Sequence, residues 1–210
     1  HWLHKYQVRG VPYSMNSQIS IPSFSFPPDE TTYVAPTWNE MEQLTIAISK
    51  QIINADKPID LIVTLAKGGW PMTRSLADFL QIDEIASIGV KFYSGINEKL
   101  PQPNVYQDLP IDVAGKNVLL FDDVADSGGS LKFVSELLHQ RNVASVTTAT
   151  LFYKEHSVVK PDYFAFTANA WIIFPFEKRE MGELLTQKWQ KLDLQEEQIN
   201  HYLKNMGLVW

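Results

Sequence analysis

"VLLFDDVADSGGSLKFV", Val118 to Val134, turns from apolar to acidic to small to helical within one short stretch. Val118 to Phe121 form an unbroken apolar run, the pattern of a strand covered on both faces. In the continuation "GGSLKFVSELLHQRN", Leu131, Val134, Leu137 and Leu138 share one helical face. Between strand and helix stand three acids, Asp122, Asp123 and Asp126, and the turn Ser127-Gly128-Gly129-Ser130. Such a turn at a helix N-terminus offers backbone N–H groups and two hydroxyls to a phosphate monoester. Asp122 and Asp123 would repel that phosphate but accept hydrogen bonds from vicinal hydroxyls, with Asp126 nearer the helix mouth. The ligand that satisfies both halves is a sugar phosphate. No Gly-Lys-Ser/Thr follows, and the glycines are adjacent, so neither a P-loop nor a dinucleotide fingerprint is present.

The flanking sequence repeats the strand–turn–helix alternation. Thr37 and Glu40 make a capping-box pattern before a helix with Met41, Leu44, Ile48 and Ile52 on one face. "DLIVTLA" is a second buried-type strand, followed by the loop "KGGWP" and the helix "MTRSLADFLQI". "ASIGVKFY" and "SVTTATLFY" are further strands, and "YFAFT" and "AWIIFPFE" are shorter β-type runs. The fold class expected is α/β, a doubly wound, mainly parallel sheet whose ligands sit at the carboxyl ends of the strands. A small hood or lid and C-terminal helices complete it, the last helix with an Asp193/Glu196 capping box and a Gly207 stop. Three segments are expected: an extended N-terminal arm over 1–36, an α/β domain with its hood over 37–177, and a helical segment over 178–210. The polar stretch from Ser94 to about Pro110 is long for an idle connection and is expected to act as a flap.

Composition limits the function classes. The net charge is -6 over 210 residues, and no cysteine is present. Broad binding to nucleic acid or to anionic membranes needs a concentrated basic surface, so no nucleic-acid polymer and no membrane partner is expected. Disulfides, thiolate nucleophiles and Cys-bound zinc are excluded. No apolar run approaches a membrane span, and a cytoplasmic location is the default expectation.

The stretch "VLLFDDVADSGGS" closely resembles the phosphoribosyl diphosphate (PRPP) signature of type I phosphoribosyltransferases: apolar strand, two acids, two residues, Asp, Ser/Thr, Gly. A helix cap alone would require one of these residues, not six. "LAKGGWP" is similar to the family's pyrophosphate loop, Ala66, Lys67, Gly68 and Gly69, in which the Ala66–Lys67 peptide is expected to be cis. "TLFYK" and "AWIIFPFE" resemble the base site of the 6-oxopurine branch, in its short archaeal-like form, the whole resemblance spanning Pro36 to Glu177.

That resemblance implies a purine-salvage enzyme moving 5-phosphoribosyl from PRPP to hypoxanthine, guanine or xanthine, with Mg²⁺ carried on PRPP. Asp122 and Asp123 would take the ribose hydroxyls, Asp126 through Ser130 the 5-phosphate, and Asp126 the purine proton. Lys154 would donate to the purine O6 and N7 edge, Trp171 would stack on the base, and Ile172 would offer backbone groups. Glu177 is a candidate second magnesium ligand. A homodimer or homotetramer is the expected assembly. Ile173 stands where related xanthine–guanine enzymes carry an acid, so the three purines stay unseparated. On residue type alone, Trp171 also suits a core and Lys154 a solvated strand tip. A PRPP-binding regulator without catalysis, or a transferase for another nucleobase, stays open.

Overall fold

The computed structural model describes residues 19–93 and 102–209. The first helix begins where the capping pattern places it. The Glu40 amide donates to Thr37 Oγ1 at 3.3 Å and the Thr37 amide to Glu40 Oε2 at 2.6 Å, satisfying two end groups of α1 (Trp38–Ala55). Met41, Leu44, Ile48 and Ile52 are buried on its inner face.

The main sheet has six strands in the order β5-β4-β3-β6-β7-β8. Its parallel part comprises β3 (Leu61–Ala66), β4 (Ile85–Tyr93), β6 (Asn117–Ala125), β7 (Ser145–Tyr153) and β8 (Tyr163–Thr167). Helix α1 and α2 (Trp70–Leu80) cover one face through Leu44, Ile48, Leu76, Leu119, Phe121 and Leu151. Helix α3 (Gly129–Gln140) covers the other, burying Leu131, Val134 and Leu138 against Val63, Val118 and Leu120. Both faces of β3 and β6 are therefore dry, which is why these strands read as continuous apolar runs rather than alternations.

Several expectations are revised. Part of the arm, β1 (Ser23–Phe26) and β2 (Asp29–Val34), is an antiparallel hairpin rather than a loose strap. Its second strand pairs in parallel with β9 (Trp171–Ile172), Tyr33 opposite Trp171. The run "AWIIFPFE" contributes only those two residues to a strand. The hairpin packs against α4 (Lys178–Gln190) and α5 (Glu196–Asn205) through Phe26, Tyr33, Ile173, Leu185, Trp189 and Leu203. Boundaries at 36 and 177 thus both pass through one hood. Helix α5 starts at a Gln195/Gln198 capping box, two residues beyond the expected Asp193/Glu196 pair, because Asp193 sits in the left-handed region (φ 60) that ends the preceding turn. Of the flap, 94–101 lies outside the described residues, while β5 (Gln102–Gln107) is a strand antiparallel to β4.

The hood is tied together by buried polar groups. Asp29 accepts hydrogen bonds from Tyr33 Oη (2.5 Å), Lys188 Nζ (2.9 Å), Trp189 Nε1 (2.8 Å) and the Thr31 amide (2.9 Å). Burial alone would raise its pKa, but the donors from Tyr33, Lys188, Thr31 and Trp189 outweigh it and hold the carboxyl well below its usual range.

Candidate active site

Strand β6 ends at Ala125 and α3 begins at Gly129, so Asp126 to Gly128 form the turn between them. Gly128 has φ +78, and a Cβ there would overlap Ser157 Oγ and lie 2.9 Å from the Val159 amide. Only glycine fits that position. The Gly129 amide donates to Ser127 Oγ at 3.3 Å, closing the turn on itself. Asp122, Val124, Asp126, Ser127, Gly128 and Ser130 line a cavity of about 90 Å³ at the helix mouth.

The two adjacent acids sit in a dry environment. Burial first, and the neighbouring Asp123 charge second, push Asp122 well above the usual carboxylate range. Asp123 is buried, and burial followed by the Glu177 charge lifts it to about 7. Glu177 is raised in turn by its own burial and by Glu180. Burial therefore makes all three carboxyls harder to ionise than free ones, and a bound cation would favour their charged forms. Hard oxygen donors of this kind suit magnesium. Among the described residues no cluster of three or more His, Cys, Asp or Glu side chains is arranged to hold a metal.

The loop after β3 approaches the acids from the neighbouring strand. The Ala66–Lys67 peptide is cis. A Cβ on Gly68 would fall 2.6–2.7 Å from the Asp123 carboxylate, and one on Gly69 would lie 3.1 Å from the Leu65 and Phe121 carbonyls. Both glycines are therefore required by close approach of loop to strand end. Lys67 is exposed beside them.

On the other side of Asp126 a second cavity of about 260 Å³ is lined by Val124, Lys154, Trp171, Ile172, Phe174, Glu177, Met181 and Leu184. Lys154, the residue at the end of β7, is 9% exposed and donates from Nζ to Asp126 Oδ2 at 2.9 Å. It is not a solvated tip. Trp171 is 49% exposed on the cavity wall, not in the core, whereas Ile172 is buried beside it. Val124 and Asp126 line both cavities, so Asp126 stands at their junction.

A family model, the phosphoribosyl transferase domain, matches residues 37–179. The chain belongs to that family. Among curated relatives, the hypoxanthine-guanine phosphoribosyltransferase of Streptococcus pneumoniae is 31% identical over 111 residues, covering 51% of this chain and 62% of its own length. The xanthine-guanine phosphoribosyltransferase of Gluconobacter oxydans is 23% identical over 152 residues, 71% of this chain and 88% of its own. A solved structure of a purine phosphoribosyltransferase from Pyrococcus horikoshii superposes with a TM-score of 0.62 at 28% identity, over 69% of this chain and 93% of that one. The similarity thus lies with the 6-oxopurine branch of type I phosphoribosyltransferases. No helix among the described residues is long and apolar enough to cross a membrane.

Within this phosphoribosyltransferase domain, sequence reasoning missed four contributors. His156 Nε2 lies 3.0 Å from Asp126 Oδ1. Met181 and Leu184 of α4 wall the larger cavity. Tyr106 of β5 packs over Gly89, where a Cβ would overlap its ring, and lies beside the pyrophosphate-type loop. None belongs to a local motif. "YKEHS" does place a histidine two residues beyond Lys154, which was the one available signal.

Proposed function

We propose that the protein transfers the 5-phosphoribosyl group of PRPP to a 6-oxopurine base, releasing the nucleoside monophosphate and pyrophosphate. The position of Asp126 at the junction of a phosphate-sized cavity and an aromatic-walled one carries this reading, because the bond to be made must form there. In the proposed arrangement the turn Ser127–Ser130 grips the 5-phosphate through amides at the α3 N-terminus. Asp122 and Asp123 accept hydrogen bonds from the ribose hydroxyls. Lys67 and the amides of Gly68 and Gly69 receive the pyrophosphate, whose charge Mg²⁺ partly neutralises when bound, with Asp123 and Glu177 as its protein donors.

The base enters between Trp171 and Ile172. Lys154 then leaves Asp126 for the purine O6, which frees Asp126 Oδ2 for the N7 proton. N9 attacks C1 of the ribose, the C1–O bond breaks with its electron pair on pyrophosphate, and the N7 proton passes to Asp126. Met181 and Leu184 of α4 wall the base site and restrict water, which would otherwise hydrolyse PRPP.

The deciding experiment incubates the protein with PRPP, Mg²⁺ and each nucleobase in turn and measures nucleotide and pyrophosphate. Formation of nucleotide from hypoxanthine, guanine or xanthine supports the reading. PRPP binding by calorimetry with no turnover on any base would instead make this a PRPP-binding regulator.

A further inference from the structure

We propose that His156 is a positioning residue for Asp126, keeping its carboxylate turned toward the acceptor base while Lys154 changes partners. The inference rests on the reading above that Asp126 takes the purine proton. Among the described residues the Asp126 carboxylate takes hydrogen bonds from two side chains: Lys154 Nζ at Oδ2 (2.9 Å) and His156 Nε2 at Oδ1 (3.0 Å). Its side chain is 55% exposed, so among the described residues these two bonds do most to set its orientation.

When Lys154 turns to the purine, Oδ2 loses its partner at the moment it must meet the N7 proton. An exposed carboxylate released from both partners would sample several rotamers and present the wrong oxygen for part of the time. The His156 contact involves only Oδ1, so it persists through the exchange and leaves Oδ2 facing the base. For this the imidazole must carry its hydrogen on Nε2, the tautomer that a carboxylate acceptor selects.

The turn that carries His156 is held through its backbone, while the imidazole, 63% exposed, meets Asp126 from that fixed turn. The Lys154 amide donates to the Ala125 carbonyl at 3.0 Å, the Ser157 amide to the Lys154 carbonyl at 2.9 Å, and the Val158 amide to the Ser127 carbonyl at 2.9 Å. The turn carrying His156 is thus anchored on both sides to the strand end and phosphate turn that carry Asp126. Two short segments far apart in sequence form one frame, and His156 is the side chain that joins them at the reacting group.

The test compares steady-state kinetics of the wild type, His156→Ala and His156→Gln. Glutamine places an N–H near the position of imidazole Nε2 and should restore the contact. His156→Ala is expected to lower kcat about 10- to 100-fold, the scale of losing orientation at a reacting group, and His156→Gln to recover most of it. KM for PRPP should stay within about twofold, because the phosphate turn is unaltered. An unchanged kcat in His156→Ala, a kcat in His156→Gln as low as in the alanine variant, or a loss wholly in KM for PRPP would overturn the proposal. An inactive wild type would count against the transferase reading, and the contact is then tested by nitrogen NMR of the imidazole. There the Nε2 resonance should move on Asp126→Ala, and an unmoved resonance overturns the proposal independently.

Discussion

Lys154 Nζ lies 2.9 Å from Asp126 Oδ2, so the cation expected to read the base and the acid expected to take its proton are bonded to each other before any base is present. Neither residue is free to stack or drift. On the proposed function, base recognition would be an exchange of hydrogen-bond partners, so that substituting either residue alters the other.

If the protein works as proposed, this exchange would make Lys154 the determinant of 6-oxo preference. Adenine presents an amine where hypoxanthine presents O6, leaving the buried ammonium facing another donor, and a site built around one donor discriminates strongly on that ground. Lys154→Gln can offer either a carbonyl or an N–H, so it should lower kcat/KM for hypoxanthine and narrow the ratio between hypoxanthine and adenine. Equal ratios before and after substitution would assign discrimination to the backbone at Ile172.

Asp126→Asn keeps the size of the side chain and removes its basicity. Turnover should fall roughly 10²–10⁴-fold, the usual range for a positioned acid or base. PRPP affinity measured by calorimetry should hold, since the turn Ser127–Ser130 keeps its amides.

Gly128 and Gly129 should respond differently to alanine. At Gly128 the φ of +78 and the overlap with Ser157 make any Cβ incompatible with the turn, so Gly128→Ala should lower PRPP affinity and thermal stability together. At Gly129 a Cβ would meet Phe92 at 3.5 Å, an ordinary contact, so Gly129→Ala should leave Tm nearly unchanged and affect only ligand approach. Parallel Tm and calorimetric measurements separate the two effects.

Asp123 illustrates a site held at the expense of stability. Its carboxyl is lifted to about 7 by burial and by Glu177, so between the unfolded value of 3.8 and about 7 the folded chain holds a proton that the unfolded chain has released. Stability therefore falls as pH rises through that window. Asp123→Asn removes the titration: its Tm should exceed that of the wild type at pH 8, with the difference shrinking toward pH 4, while PRPP binding is lost. A constant Tm difference across this range would show that Asp123 ionises normally.

The hood should behave oppositely. Asp29 is held below its usual range because its hydrogen-bond donors outweigh the effect of burial, so its contribution is present above pH 3.8 and lost as the pH falls below it. Asp29→Asn turns an N–H₂ group toward donors from Tyr33, Lys188 or Trp189 and should cost about 1–3 kcal/mol. Denaturant unfolding at pH 7 measures this cost, and Trp189 fluorescence reports whether the hood separates from the sheet.

Local pattern determined much of this protein. Thr37 and Glu40 mark a helix start through bonds between near neighbours, and the apolar runs at Leu61–Ala66, interrupted only by Thr64, and at Val118–Phe121 mark central strands because both faces are covered. The turn from Asp126 to Gly128 was legible because a strand that passes directly into a helix needs small residues there, with glycine at the positive φ of position 128. Tertiary structure alone decided what those residues face. Asp29 finds Lys188 and Trp189 across more than 150 residues, and no periodicity records such a pairing. His156 reaches Asp126 because the loop after β7 folds back on the phosphate turn, a consequence of strand adjacency in the sheet. The shifted ionisation of Asp122 and Asp123 follows from burial and from Glu177, a residue brought in by the chain beyond β9. Residue type and spacing fix which chemistry is available, whereas desolvation and long-range contacts fix the protonation and orientation in which it is offered.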